Sequence, residues 1–191
     1  EVEIENLIVN KPFHYTVYSG VGKIRVVASY RDEYIDYVIK TFTGQKFPQG
    51  ELVLDGANGA IATVVEPVYH ALGIKARFLG MEPNGININD GCGSLHPEFI
   101  GAALGEREVG ILFDGDADRC LFVLQGSRVV DGDMLMAINS RKMARQGRLK
   151  GNRVVATVMS NLGFEKYLSG KGIGLERTKV GDKYVLERML Q

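Results

Sequence analysis

The sequence predicts an α/β protein of two three-layer units with mixed sheets built from β-α-β repeats, the second unit being incomplete. Short apolar runs alternate with stretches whose apolar residues recur at helical spacing. Glycine, proline, asparagine and aspartate separate the two kinds of segment. The chain has 191 residues, 45% of them hydrophobic, so it can bury the core of one large or two small domains without disulfide or metal support.

The first unit begins with an amphipathic helix, because apolar residues between 31 and 42 recur at helical spacing. Residues 52–54 form a strand that runs into a glycine-containing turn at 55–59. A helical apolar stripe follows over 61–72, and residues 74–79 supply the next strand. This order is a β-α-β unit with a right-handed parallel crossover.

The middle of the chain contains a long ordered loop and then a group of strands. Residues 82–93 are rich in Pro, Gly, Asn and Asp, which favours turns over any periodic element. A short helix is predicted at 97–104, where Pro97 suits the first turn. Three strands follow, at 109–113, 121–124 and 128–130.

The second unit repeats the alternation after a boundary near Gly132, where strands give way to a helix. The predicted elements are a helix at 133–145, a strand at 154–159, a helix at 163–169, a strand at 175–179 and a final helix capped by Asp182. The sequence ends inside the apolar pattern of that last helix, so we expect the chain to be part of a longer polypeptide.

Charge and composition exclude several classes of partner. The chain has 23 basic and 23 acidic residues, so it offers no net positive charge for nucleic acid or an anionic membrane, and we predict neither as a partner. Its apolar runs are too short to span a bilayer. The two cysteines form no C-x-x-C pair and the first residues are acidic, unlike a signal peptide, so we expect a cytoplasmic location.

The most informative segment is an acidic loop between two apolar strands. It places three carboxylates at alternate positions, Asp114, Asp116 and Asp118. In a curled loop all three can face one point, where a hard cation such as Mg²⁺ or Ca²⁺ relieves their repulsion. Arg119 adds a guanidinium group beside them. A metal ion next to an arginine is an arrangement that binds a phosphoryl group, whereas a purely structural ion has no need of the arginine.

Two other interpretations of this loop can be weighed against metal binding with phosphate. An EF-hand calcium loop also opens with alternating aspartates, but Arg119 stands where that loop needs glycine and Gln125 where it needs glutamate. A solvated acidic turn between strands is the simpler alternative, because short Asp/Gly runs often have no ligand. Metal binding is the preferred prediction.

Residues 113–119, Phe-Asp-Gly-Asp-Ala-Asp-Arg, resemble the magnesium loop of the α-D-phosphohexomutases. Other segments agree with that family in order and spacing, namely 55–59, 82–89, 93–98, 130–133, 157–161 and 179–185. The last three resemble its amino-sugar branch, which interconverts glucosamine 6-phosphate and glucosamine 1-phosphate and supplies precursors for the cell envelope. The resemblance extends from about Tyr30 to the end.

The resemblance implies a four-domain enzyme with one cleft and a bisphosphate intermediate. Asp114, Asp116 and Asp118 would hold Mg²⁺ together with an oxygen of a phosphoserine. Arg119 would contact the reactive phosphate, and Lys179 would lie near the phosphoryl group that is transferred. The implied partner is a hexosamine phosphate substrate, and a homodimer is the assembly expected of the full-length protein.

The sequence also departs from the family pattern. No serine here lies in the family's nucleophile motif, and the later sugar-recognition and phosphate-binding segments are absent. We therefore expect residues 1–23 to be a remnant of a preceding domain and linker, 24–130 the second domain with the metal loop, and 131–191 the beginning of the third. These residues alone should be inactive. Ala117 replaces a common glycine, which is tolerable if its φ is negative.

Three alternatives remain open at this stage. A phosphoglucomutase or phosphomannomutase would differ mainly in the absent sugar-recognition segment. A Mg²⁺-dependent phosphohydrolase would need a nucleophile or a water-activating base, and none is evident. A non-catalytic module could use the acidic loop only to bind Mg²⁺ and stabilise the fold.

Overall fold

The structure is a computed structural model that describes residues 2–12, 15–27, 29–47 and 50–191. The predicted α/β class is confirmed, since helices and strands alternate along most of the chain. The helices are α1 (Val2–Asn10), α2 (Ser29–Thr41), α3 (Val65–Ala71), α4 (Pro97–Ala103), α5 (Gly132–Arg145), α6 (Leu162–Ser169) and α7 (Asp182–Met189). The strands are β1 (Glu51–Asp55), β2 (Ala76–Leu79), β3 (Glu108–Phe113), β4 (Cys120–Leu124), β5 (Arg128–Val130), β6 (Arg153–Thr157) and β7 (Gly174–Thr178).

The first unit is built on a mixed sheet of five strands in the order β2-β1-β3-β4-β5. β1 is parallel to β2, as the predicted crossover requires, and it is also parallel to β3. β3, β4 and β5 are antiparallel neighbours. The acidic loop therefore joins two adjacent antiparallel strands, so both of its ends are held by one ladder of hydrogen bonds.

Helices cover both faces of this sheet. On one face Leu54 and Ile111 pack against Val65 of α3. On the other face Val53 and its neighbours pack against Ile100 of α4. Successive residues of a strand point to opposite faces, so the apolar residues 52–54 of β1 supply both cores.

The second unit contains two parallel strands, β6 and β7. Ala156 of β6 packs with Phe164 and Leu168 of α6, and part of α5 lies against the same cluster. On the opposite face Glu176 of β7 accepts a hydrogen bond from Arg188 of α7. The three layers are thus present here too, but both strands described in this unit run in the same direction, whereas the first sheet is mixed.

Some boundaries differ from the sequence prediction. The helix expected over 61–72 is a short 3₁₀ helix, Ala60–Thr63, followed by α3. At the start of the 3₁₀ segment the backbone N–H of Ala60 donates to the carbonyl of Gly115 at 2.8 Å. β6 ends at Thr157 rather than at 159.

The sequence predicts that Asp182 caps the last helix, but in the structure Asp182 is the first residue of that helix. Its side chain accepts a hydrogen bond from the backbone N–H of the next residue, Lys183, at 2.8 Å. Gly181 precedes the helix with φ of 133° and provides no side-chain cap. A residue with a side chain would be strained at that φ, which explains why a glycine precedes α7.

The described residues between 2 and 26 are all exposed and include α1. Large apolar side chains such as Tyr18 and Ile24 are among them. The core of the first unit therefore begins with α2, where Ile35 is buried. Within the described part of the chain, no helix has the length and apolar character needed to cross a lipid bilayer.

Candidate functional site

The acidic loop occupies residues 114–119, between the end of β3 and the start of β4. A turn opens it, because the backbone N–H of Ala117 donates to the carbonyl of Asp114 at 3.0 Å. This turn reverses the chain within a few residues, so alternate side chains are gathered on one side of the loop.

The structure brings the three predicted metal ligands together. Asp114, Asp116 and Asp118 each offer a carboxylate oxygen, and these oxygens all lie within 4.8 Å of one another. Asp114 is buried at the base of the loop, whereas Asp116 and Asp118 are exposed. The resulting site has one rigid ligand and two that solvent can reach.

Arg119 lies directly against Asp114 in this arrangement. Its backbone N–H donates to Oδ1 of Asp114 at 3.1 Å, and its Nε–H donates to Oδ2 at 2.6 Å. The side chain of Asp114 is 3% exposed and that of Arg119 is 61% exposed. Arg119 therefore fixes the buried carboxylate while its remaining guanidinium N–H groups stay accessible to an anion.

The carboxylates of the loop differ in their pKa. Burial by itself would raise the pKa of Asp114, but the hydrogen bonds and charge of Arg119 outweigh it and hold this pKa below its usual value. The pKa of Asp118 is raised instead, mainly because the charges of Asp116 and Asp114 disfavour a further negative charge nearby. The repulsion predicted from the sequence is thus only partly relieved by Arg119.

The donor set fits a hard divalent cation. All three groups are carboxylates, whose oxygens are the ligands that Mg²⁺ and Ca²⁺ prefer. Each oxygen of Asp114 that accepts from Arg119 keeps a second lone pair for a metal. The exposed positions of Asp116 and Asp118 leave room for water or phosphate oxygens, which Mg²⁺ usually retains. That these residues are metal ligands stays a prediction.

Ala117 does not meet the condition of a negative φ under which an alanine is easily tolerated at this position. Its φ is 61°, in the left-handed region where a residue with a Cβ is strained. The residue lies between Asp116 and Asp118, at the point where the chain must curl so that both carboxylates face the same side. The strain is maintained by the surrounding contacts of the loop.

The backbone of the turn after β1 packs closely against the backbone of the acidic loop. A Cβ built on Gly59 would lie 2.2 Å from the carbonyl oxygen of Gly115, so only glycine permits this approach. The neighbouring Ala60 makes the hydrogen bond to Gly115 described above. The residues of the 55–59 turn with positive φ are Ala57 and Asn58, and Asn is one of the residue types that favour such a turn. Gly59 is needed for close packing instead.

Sequence reasoning missed a buried carboxylate, Asp55, at the end of β1. It is fully buried, and its two oxygens accept backbone hydrogen bonds from Ala57 at 2.9 Å and from Gly93 at 2.6 Å. Asp55 thereby joins the turn after β1 to the end of the long loop. Burial raises its pKa, and the two hydrogen bonds oppose that effect. The sequence offers an aspartate directly after an apolar run and a family resemblance at 55–59 and 93–98, and neither signal reveals that Asp55 and Gly93 are bonded to each other.

The other predicted site residue, Lys179, lies in the second unit. It follows β7 and is exposed, with its Nζ 6.0 Å from the centre of the Tyr184 ring. No hydrogen bond or ion pair among the described residues joins it to Asp114 or Arg119. The structure therefore groups the acidic loop with Arg119 and leaves Lys179 at the carboxyl end of a different sheet.

A network of polar contacts shapes the neighbouring segment of that sheet edge. Arg177 donates to the carbonyl of Ser160 at 2.9 Å and pairs with Glu165 at 2.9 Å. Asp133 accepts hydrogen bonds from both the backbone and the side chain of Asn161, each at 2.8 Å. These contacts hold the turn after β6, which lies at the same edge as Lys179 because β6 and β7 are parallel.

Comparison with known protein families identifies similarity in sequence. The profile of the phosphoglucomutase/phosphomannomutase alpha/beta/alpha domain III matches residues 131–191. Proteins named phosphoglucosamine mutase from Paracoccus denitrificans, Sphingopyxis alaskensis and Rhizobium johnstonii are 46%, 43% and 42% identical over 89%, 99% and 100% of this chain. The chain covers 39%, 43% and 43% of their lengths, about two fifths of each.

Solved structures of sugar-phosphate mutases have a similar fold. A phosphoglucomutase/phosphomannomutase family protein from Burkholderia thailandensis aligns with a TM-score of 0.67 at 20% identity, over 84% of this chain and 35% of its own. The N-acetylphosphoglucosamine mutase of Aspergillus fumigatus aligns with a TM-score of 0.59 at 20% identity, over 81% of this chain and 32% of its own. At such identities the likeness concerns the fold alone.

Proposed function

Because the chain belongs to the α-D-phosphohexomutase superfamily, we propose that the whole protein is a phosphoglucosamine mutase. It interconverts glucosamine 6-phosphate and glucosamine 1-phosphate, with a phosphoserine as carrier and a hexosamine bisphosphate as intermediate. The observation that carries this proposal is the convergence of Asp114, Asp116 and Asp118 within 4.8 Å beside Arg119. Similarity to proteins of that name over 89% or more of the chain supports it.

The acidic loop prepares a site for a phosphoryl group. Asp114 is held ionised by Arg119, so the base of the loop carries a fixed negative charge at neutral pH. Mg²⁺ bound by the three carboxylates would neutralise charge on the phosphoryl oxygens. Arg119 keeps guanidinium N–H groups free, and these can donate to the same phosphate.

Lys179 supplies a second positive charge in the proposed reaction. Charge spreads over the phosphoryl oxygens in a loose transition state, and an ammonium group near them lowers its energy. The side chain is exposed at the carboxyl end of β7, the edge where α/β sheets commonly bind ligands. We propose that Lys179 approaches the phosphate when the units of the whole protein enclose the substrate.

In the forward step the free hydroxyl oxygen of the sugar attacks the phosphorus of the phosphoserine, and the bond from phosphorus to the serine oxygen breaks. The proton leaves the sugar hydroxyl and the serine oxygen gains one, so no other reactant is consumed. The bisphosphate then reorients in the site and returns its other phosphate to the serine. The residues of this chain bind and orient the phosphate in both steps.

The location and assembly of the whole protein remain part of the proposal. A cytoplasmic location suits a phosphorylated sugar substrate, and both Cys92 and Cys120 are free thiols. A homodimer stays a prediction from the family resemblance.

The decisive experiment measures kcat/KM of the whole protein for three hexose phosphates. We expect conversion of glucosamine 6-phosphate in the presence of Mg²⁺, with lower kcat/KM for glucose 6-phosphate and mannose 6-phosphate. Asp116→Asn should lower kcat/KM by at least about 100-fold, because a ligand of the cation that stabilises the transition state is lost. Asp36→Asn on the exposed face of α2 is a control with the same chemical change.

Two results would contradict the proposal in different ways. A preference for glucose or mannose phosphate would assign the protein to a sister branch of the superfamily. Full activity of Asp116→Asn with glucosamine 6-phosphate would agree with the proposed reaction but would show that the acidic loop has no role in it.

A further inference from the structure

A second concave site lies in the second unit, between α5 and α6. This pocket has a volume of about 420 Å³, which is within the range of small-molecule sites. It is lined by Ile138, Arg141, Lys142, Arg145, Gln146 and Tyr167. Three of these six side chains are cationic and none is acidic.

The charge of this region is strongly one-sided. Residues 134–164 contain six basic residues and no acidic one, although the whole chain is neutral. The acidic residue that follows, Glu165, is paired with Arg177 at 2.9 Å. Among the described residues, Arg141, Lys142 and Arg145 have no carboxylate within 4.0 Å. Their positive charge is therefore available to an external anion.

The position of these cations on α5 is unfavourable for the isolated helix. Ile138, Arg141 and Arg145 share one face, since they are three and four residues apart along α5. Like charges at a spacing of four residues destabilise a helix. Basic residues in the last turn do complement the helix dipole, but Arg141 lies one turn earlier and gains little from it. An anion between Arg141 and Arg145 would convert this repulsion into attraction.

α6 completes the pocket with an aromatic wall. Tyr167 packs against the core of the second unit and so has a fixed position. Lys171 does not line the pocket, but its Nζ lies 5.9 Å from the centre of the Tyr167 ring and adds positive charge next to this wall. Gln146 can add hydrogen bonds to phosphate oxygens.

The pocket is distinct from the proposed reaction site. α5 ends at Arg145 and leads into the start of β6 at Arg153. The pocket therefore lies near the amino end of β6, whereas Thr157 and Lys179 lie at the carboxyl ends of β6 and β7. A ligand in this pocket would bind at the opposite edge of the sheet.

We propose that the pocket between α5 and α6 is a binding site for a small anion that carries two or more phosphate charges. Arg141, Lys142 and Arg145 bind the phosphate oxygens, and Tyr167 with Ile138 forms the wall against which the ligand rests. This site is independent of the proposed mutase activity, because it uses none of the residues of the acidic loop.

The test is a titration of the whole protein with inorganic pyrophosphate in the absence of Mg²⁺. Calorimetry gives the affinity, and hydrogen exchange detected by mass spectrometry locates the bound region. We expect saturable binding with increased protection at residues 138–146 and 164–171. The variant Arg141→Gln/Arg145→Gln should weaken binding by at least about tenfold, because charge-assisted hydrogen bonds are lost.

A matched control separates this site from general charge effects. Lys75→Gln/Arg107→Gln removes two exposed cations from the first unit and changes the net charge equally. It should bind pyrophosphate like the unchanged protein. Equal weakening by both double variants, protection confined to other segments, or the absence of saturable binding would each overturn the proposal. Circular dichroism of both variants verifies that α5 remains folded.

Discussion

Arg119 donates two hydrogen bonds to Asp114, one from its backbone to Oδ1 at 3.1 Å and one from Nε to Oδ2 at 2.6 Å. The acceptor is buried and the donor side chain is mostly exposed. One residue therefore orients the most rigid carboxylate of the acidic loop and also presents positive charge to the solvent side.

Removing the Arg119 side chain should destabilise the first unit. Arg119→Ala leaves the buried, charged carboxylate of Asp114 with one hydrogen bond fewer, at a cost of about 1.5–3 kcal/mol. The free energy of unfolding in urea measures this loss. Arg31→Ala is the control, since it breaks a pair whose side chains are 58% and 66% exposed and should change stability by less than about 0.5 kcal/mol. Equal losses for the two variants would contradict the role given to Arg119.

Replacing Ala117 by glycine should stabilise the protein. The residue has φ of 61°, and glycine removes the strain of the Cβ at that angle. Part of the gain is offset by the greater entropy of glycine in the unfolded chain, so we expect about 0.5–1 kcal/mol. Thermal unfolding is the measurement. Ala102→Gly in α4 should have the opposite sign, a loss of about 0.5–1 kcal/mol, because that residue is helical.

Stability should depend on pH through Glu176. Hydrogen bonds from Arg153 and Arg188 hold the pKa of Glu176 below its ordinary value of 4.5. Because this pKa is lowered in the folded state, the stabilisation is present above pH 4.5 and is lost as pH falls through the lowered pKa. We expect Glu176→Gln to be less stable than the unchanged protein at pH 7, and the difference to shrink below pH 4.5.

The control for Glu176 is Glu187→Gln on the exposed surface of α7. It should leave the free energy of unfolding at pH 7 nearly unchanged, because the residue is exposed. Unfolding free energies at several pH values give the comparison. A difference between Glu176→Gln and the unchanged protein that grows on acidification would show that the sign is wrong.

Mg²⁺ should bind weakly to these residues when no phosphate ligand is present. Three carboxylates provide only part of an octahedral shell, so we expect a dissociation constant on the order of millimolar. Asp116→Asn should abolish the heat of Mg²⁺ binding measured by calorimetry, and Asp36→Asn should not.

The 191 residues alone should give no mutase turnover. Measurable conversion of glucosamine 6-phosphate by them would contradict the account of the phosphoserine carrier.

Much of the fold could be predicted because its elements have strong local patterns. The apolar runs at β1 and β3 and the periodic stripe of α5 are visible within short windows of sequence. Boundaries were predicted less well where a distant residue intervenes. The 3₁₀ segment before α3 begins at Ala60, whose backbone N–H donates to the carbonyl of Gly115, and no local pattern contains that contact.

Local sequence patterns are enough to predict the alternation of helices and strands, the parallel crossover from β1 to β2 and the spacing of three carboxylates in one short loop. These properties depend on residues that are close along the chain. Three other features become visible only in the folded chain: Arg119 turns back onto Asp114, Ala117 takes a left-handed φ, and Asp55 accepts a hydrogen bond from the backbone of Gly93. The direction of a side chain and the strain that a backbone tolerates are set by neighbours brought together on folding, so local residue preferences cannot supply them.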